Sequence, residues 1–280
     1  MYNKEEYKKK AEERTKNLQK NLKELSNQLI TDVDKLDKII DSWRENLYRY
    51  SAYNIFSANV QLLKRKGKTI SALGSYRKWK KEERYVKKGE TALYILAPFT
   101  YKKKDNPDLE EDEDMEELIT SFRSVPVFDI SQTQGKPLNY TKSNNELISE
   151  TDIQFNDLIS YCPIPVFLDN IKGGGWTDGE KICINEESNN QNRICTLFHE
   201  LAHTQLHFSK EGKQKSRSIQ ELEAEAVSYC LSRLIGLKNN TAGAYLKSWK
   251  GTSEKLENSG LEIIKTADKI SRYLLKDIIN

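Results

Sequence analysis

The chain contains three histidines, His199, His203 and His207, all within nine residues of one another. Steps of four place them on one face of a helix. The local sequence CTLFHELAHTQLHF holds an HExxH motif. In such a motif both histidines, His199 and His203, offer imidazole nitrogens to one zinc ion (Zn2+). The acid between them, Glu200, stands beside the metal, where it can take a proton from water. Leu197, Phe198, Leu201 and Leu206 give the helix an apolar packing face. HExxH alone is moderately specific, because catalytic zinc needs a third protein ligand.

That ligand is sought downstream, in the amphipathic helix IQELEAEAVSYCLSRLIG. Its acids are Glu221, Glu223 and Glu225. Glu221 and Glu225, four apart, share a face, and Glu223 is rotated away from them. A gluzincin-type arrangement takes its third ligand from such a second helix. It sets another acid one turn later to hold a ligand histidine by its other ring nitrogen. Glu221 is therefore assigned as ligand and Glu225 as the partner behind His199. His207 lies too near His203 for the third ligand of a metzincin, so it is given a helix-end or supporting role at most. Spacing places neither Tyr229 nor Trp176.

A second constellation lies in the first half, in ALGSYRKWKKEERYVKKGETALYIL. Here Tyr76, Arg77, Lys78, Trp79, Lys80, Lys81, Arg84, Tyr85, Lys87 and Lys88 interleave rings and cations. Such a mixture suits single-stranded nucleic acid, with cations following phosphates and rings stacking on bases. The competing reading keeps Trp79 in a core and the charges on a solvated face. Between Lys64 and Lys104 fourteen Lys or Arg face three Glu, and Asp105 to Glu117 then carries nine acids. The net charge of +3 averages these away.

The 280 residues allow two domains. A hydrophobic fraction of 37% supports packed cores beneath a charged surface. No apolar run approaches a membrane span and the N-terminus lacks a secretory pattern, so a soluble cytoplasmic protein is expected. Cys162, Cys183, Cys195 and Cys230 form no CxxC pair and read as small buried hydrophobes.

Periodicity predicts a charged helix over 1–28, a firmer one over Asp32–Tyr48, a third over Ser51–Lys66 ended by Gly67, and a short basic helix over Ser75–Glu83. Strands are expected at Thr91–Ala97, stopped by Pro98, and at Phe122–Ile130, with the acidic run as a solvated linker. A domain boundary is set near residue 142, giving domains 1–142 and 143–280. The second half reads as a helix over Glu146–Ser160, a strand at Pro165–Leu168, a glycine turn at 173–175 and a strand at Lys181–Asn185. Helices follow near Arg193–Phe208, Ile219–Ile235 and Ser253–Leu275. The fold class is α+β: a small α/β domain followed by a mostly helical zincin-like domain with a small sheet.

The first half resembles the N-terminal domain of ArdC-type antirestriction proteins, through YSAYNIFSANVQLL, LGSYRKWKKEERYVKKGETALYILAPFTYK and FRSVPVFDISQTQGKPL. The second resembles the ImmA/IrrE-like metallopeptidase domain, through ICINEESNNQNRICTLFHELAHTQLH, IQELEAEAVSYCLSRLIGL and AYLKSW. This resemblance implies single-stranded DNA binding, a zincin-like fold and carriage on plasmids, phages or other mobile elements. It implies metal at His199, His203 and Glu221, with Glu200 catalytic. Trp79, Lys87, Lys88 and Gly89 match the family's W…VxKGE signature. Where the family commonly has Gly-Arg before Tyr85, this chain has Glu83-Arg84, which leaves the loop's shape open. A host repressor or restriction component is the expected protein substrate, by analogy alone. Two alternatives stay open: a non-proteolytic protein that shields single-stranded DNA around a structural zinc, and a first domain that binds protein partners.

Overall fold

A computed structural model of the chain describes residues 12–18, 20, 26, 32–46, 50–102, 118–138, 152–248 and 259–275. Side chains are described for these residues except 45–46, 99–102 and 118–121. The boundary near residue 142, the acidic run and most of the 1–28 helix lie outside the described residues.

Helix α1 (Val33–Asn46) buries Leu36, Ile39, Ile40 and Trp43 on the face its periodicity predicts. Helix α2 (Ala52–Lys66) begins where the Ser51 side chain accepts from Asn54 N, and ends at Gly67 in the left-handed conformation (φ 64°). Lys64, Arg65 and Lys66 complement the negative end of its dipole. Strand β1 (Leu73–Gly74), helix α3 (Tyr76–Lys81) and strand β2 (Arg84–Val86) follow, then a long antiparallel hairpin of β3 (Leu93–Lys102) and β4 (Leu118–Asp129). The sheet order is β1-β4-β3, which leaves β3 as an edge.

Helix α2 covers that edge. Asn54 and Gln61, two turns apart, each hydrogen-bond both the N–H and the C=O of a strand residue, Leu96 and Tyr94 respectively. Two side-chain amides thus stand in for a missing neighbour strand. The same geometry explains why β3 runs through Pro98, where a stop was expected. Outward-facing N–H groups recur at 94, 96 and 98, so the N–H that Pro98 lacks falls on the unpaired side. Pro126 lies opposite Tyr94, so its nitrogen faces away from β3.

β2 pairs with β5 (Thr133–Gly135). At their junction Glu83 adopts φ 55°, the left-handed conformation that glycine takes most easily. The buried Asp129 carboxylate ties this region together, accepting from Ser71 N, Ala72 N and Ser131 N.

In the second half, the described part of the helix expected over 146–160 is α4 (Phe155–Ile159), preceded by non-helical 152–154, and residues 146–151 lie outside the described residues. The Asn190 side chain accepts from Phe155 N and donates to Ile153 O, which holds 153–155 extended. A three-stranded sheet of order β6-β8-β7 joins Val166–Asp169, Ile182–Asn185 and Gly175–Thr177. Helices α5 (Asn190–Leu206), α6 (Arg217–Leu234), α7 (Asn240–Ser248) and α8 (Ser259–Leu274) complete the described chain. Sequence periodicity missed α7.

One apolar core runs from α1 and α2 through α6 and α8. Polar contacts accompany it. Arg233 on α6 forks onto Asp41 at 2.9 and 2.8 Å and lies 3.3 Å from Asp37. Tyr229 donates to Asp37 at 2.6 Å. Arg233 is buried, so its removal would take the fork from Asp41 and leave Asp37 with Tyr229 alone of these two partners. Arg233→Met is expected to cost about 3 kcal/mol in denaturant unfolding while leaving a single transition. Two separate transitions in the native chain would show that the shared core does not couple the halves.

Candidate metal centre

Helix α5 starts at Asn189, whose side chain accepts from Asn192 N, and ends at His207. Its inner face packs through Ile194, Leu197, Phe198, Leu201 and Ala202. His199 and His203 therefore project from the adjoining face, toward the first turns of α6.

The two Nε2 atoms stand 3.0 Å apart. Glu221 Oε2 lies 3.4 Å from that of His199 and 3.8 Å from that of His203. A tetrahedral zinc with bonds of ~2.1 Å sets its ligand atoms roughly 3.4 Å from one another. The observed distances bracket that value. Two imidazole nitrogens and a carboxylate oxygen converging in this way fit a divalent cation. This is the one such group of three among the described residues. The other Glu221 oxygen pairs with Arg217 Nε at 2.9 Å.

Behind these atoms, Glu225 Oε1 lies 3.5 Å from His199 Nδ1. His203 Nδ1 instead meets His207 Nδ1 at 2.8 Å, and His207 Nε2 meets Glu223 Oε2 at 2.8 Å. Glu223, fully buried, also receives Lys215 and Ser259. Spacing set Glu223 aside because it turns away from Glu221. A signal existed, since Glu223 shares a helix face with Val227, Cys230 and Leu234, all buried. An acid on an apolar face needs buried partners.

Electrostatics divide the roles. Burial pushes the Glu200 carboxyl up to about 7, although neighbouring His199 opposes it. Burial, then His199 and His207, hold His203 well below the usual imidazole range. Burial also pulls His199 down, but Glu221, Glu225 and Glu200 outweigh it and the net shift is upward. The hydrogen bond from His199 keeps Glu221 below the ordinary carboxylate range. Burial raises Glu225.

Strand β7 forms the roof. Thr177 Oγ1 meets Thr204 Oγ1 at 3.2 Å, and Thr204 donates to Glu200 O. A cleft of about 480 Å³ between β7 and α6 is lined by Trp176, Phe208 and Arg217 beside the histidines. On the other side a pocket of about 880 Å³ carries Asn189, Asn192, Lys238 and Asn240.

The basic segment is assembled differently. Trp79 corrects the sequence expectation of a stacking ring, for it is fully buried and its indole N–H donates to Phe128 O. Gly74 leaves room for it, since a Cβ there would stand 2.8 Å from the indole. Arg84 is bound into β5 through Thr133 and Lys136 O, Lys87 reaches Ser131 O, and Lys78 reaches Leu73 O. Arg77, Lys80, Lys81 and Lys88 are exposed, as are the rings of Tyr76 and Tyr85.

Comparison with known proteins finds a match in each half of the chain. Residues 8–128 match the N-terminal domain of anti-restriction factor ArdC, and residues 162–232 match the IrrE N-terminal-like domain, a peptidase family. The chain is ArdC-like, with an IrrE-like C-terminal domain. The antirestriction ArdC protein from R388 plasmid, metal-free, superposes on this ArdC-like chain with a TM-score of 0.52 and 20% identity. That alignment covers 90% of this chain and 97% of the other. The Mn(II)-bound structure of the same protein gives 0.53 at 18% identity, with the same coverage. An uncharacterized protein of Bacillus anthracis is 22% identical over 98% of the chain. The chain spans about half (53%) of that relative's length. These likenesses agree with the α+β fold. Among the described residues no helix is long and apolar enough to cross a membrane.

The roof tolerates no side chain at Gly175. A Cβ there would lie 2.6 Å from Thr196 Cγ2 and 2.8 Å from Cys183 O. Gly175→Ala is expected to cost ~1–3 kcal/mol by forcing β7 off α5. An unchanged melting temperature would mean that the strand is free to shift.

Proposed function

We propose that the chain is an antirestriction protein of a mobile element, with single-stranded DNA bound by the first half and peptide hydrolysis at a zinc site in the second. The convergence of His199, His203 and Glu221 beside the buried Glu200 carries the catalytic part. When bound, zinc would polarise a carbonyl oxygen and acidify water to a pKa of about 7.

The chain's own residues supply the rest. Glu200, raised toward neutrality by burial, is matched to accept a proton from water and deliver it to a leaving amine. His203 is held neutral and available as a ligand. Glu225 sits behind His199, where a carboxylate fixes ring orientation. The cleft on one side of the triad and the pocket on the other leave room for an extended peptide. A host repressor or restriction component is the class of substrate that an antirestriction role implies.

The DNA part rests on Tyr76 and Tyr85, 56% and 53% exposed, among Arg77, Lys80, Lys81 and Lys88. Exposed rings stack on bases and cations follow the backbone. Trp79 belongs to the platform beneath them.

Metal content and fluorescence anisotropy on single- and double-stranded oligonucleotides test both parts. One zinc per chain, lost in His199→Ala, is expected, with preference for the single strand. Contacts from four cations predict roughly 50-fold weaker binding between about 50 and 200 mM salt. An affinity flat over that range would exclude phosphate contacts. Exchanging Arg77 and Lys80 for Glu should abolish binding at unchanged stability. Trp79→Ala should instead cost ~3–5 kcal/mol of folding. Glu200→Gln should abolish cleavage and keep DNA affinity. Protection of DNA that survives Glu200→Gln would make shielding the function.

A further inference from the structure

Each ligand histidine of the candidate site has a carboxylate behind it, but the two are reached differently. For His199 the acid is Glu225, directly on Nδ1 at 3.5 Å. For His203 the acid is Glu223, two links away. His203 Nδ1 meets His207 Nδ1 at 2.8 Å, and His207 Nε2 meets Glu223 Oε2 at 2.8 Å.

The directions of these hydrogen bonds are set by elimination. His203 turns Nε2 toward the other two ligand atoms, so a neutral ring that lends that lone pair carries its proton on Nδ1. His207 Nδ1 must then accept. Its own proton lies on Nε2, from which it donates to the carboxylate. The opposite tautomer of His207 would set two N–H groups head to head across 2.8 Å and turn a bare lone pair toward an anion. Glu223 is held as the anchor by Lys215 Nζ, at 2.8 and 3.0 Å from its two oxygens, and by the hydroxyl of Ser259. Lys215 in turn pairs with Glu262 at 2.8 Å. Glu223 is fully buried and His207 5% exposed, so water does not substitute for either link.

We propose that His207 and Glu223 are positioning residues for the metal. Through a directed Glu223–His207–His203 relay, they fix the ring and tautomer of His203 and aim its Nε2 at the cation. This rests on the reading of His199, His203 and Glu221 as ligands. His207 is therefore neither a ligand nor a helix-end accident, and the run of alternate acids on α6 has three uses. Glu221 faces the metal, Glu225 backs one histidine, and Glu223 backs the other through an inserted imidazole.

The test uses the full chain and zinc. Long-range proton–nitrogen spectra of the zinc-loaded protein should show His203 protonated at Nδ1 and His207 at Nε2. Chelator competition should show zinc affinity falling about 10–100-fold in His207→Leu. His207→Gln should recover most of that loss, because its carbonyl accepts from His203 and its amide donates to Glu223. A leucine variant that binds zinc like the native chain overturns the proposal, as does a glutamine variant as weak as leucine. A proton on Nδ1 of His207 overturns it as well. If His207→Leu does not fold, the native tautomers and His207→Gln decide alone. A native chain that takes up no zinc refutes the ligand reading itself and the relay with it.

Discussion

The packing of α5 against α6 is the contact on which the site depends. The two helices are in direct contact, Ser228 Oγ donating to Cys195 O and Cys195 Sγ standing 3.6 Å from Ser232 Oγ, while Leu197, Phe198 and Leu201 of α5 and Leu222, Ala226 and Cys230 of α6 are buried in the same apolar core. That burial sets the turn carrying His199 and His203 opposite the turn carrying Glu221 and Glu225. None of these polar groups would assemble by mutual attraction. Three ligand atoms within 4.8 Å of one another are held there by the apolar contacts on either side. Hydrophobic burial is undirected, whereas the side-chain directions of a helix are fixed, so one packed interface aims several donors at once.

The interior then accommodates two acids in opposite ways. For Glu200 burial outweighs the opposing pull of His199 and Arg217 and raises the carboxyl to about 7. For Glu223 burial also pushes upward, but His207, Lys215 and Ser259 outweigh it and hold the carboxyl low. The same desolvation thus yields a poised base in one place and a permanent anion in the other. The difference lies in the count of donors each carboxylate meets.

Much of this was legible in the residues, and the failures are instructive. The i, i+4 histidines, the face shared by Glu221 and Glu225 and the caps at Ser51 and Gly67 follow from local geometry, so sequence reveals them. Trp79 could not be resolved that way. A ring between lysines reads as a stacking platform until Phe128 O and the bare Gly74 are seen to enclose it, and both depend on tertiary pairing. Pro98 misled for the same reason. A proline stops a strand only if its nitrogen faces a partner, and which side faces the partner is set by register. Glu223 was passed over because only its distance from Glu221 was weighed, when its apolar neighbours carried the signal.

Helix α6 presents Glu221, Glu225, Tyr229 and Arg233 at intervals of four. Its first turns face the candidate metal and its last turns face Asp37 and Asp41 of α1. One rigid rod therefore belongs to both halves of the polypeptide. A gene fragment encoding only residues 143–280 would retain every candidate ligand, yet it would bare Arg233 and the apolar flank that α1 covers. Recombination that exchanges the first half for a foreign one must bring matching acids along with it. The two segments are thereby bound to descend together, and drift in α1 is answerable to a centre it never touches.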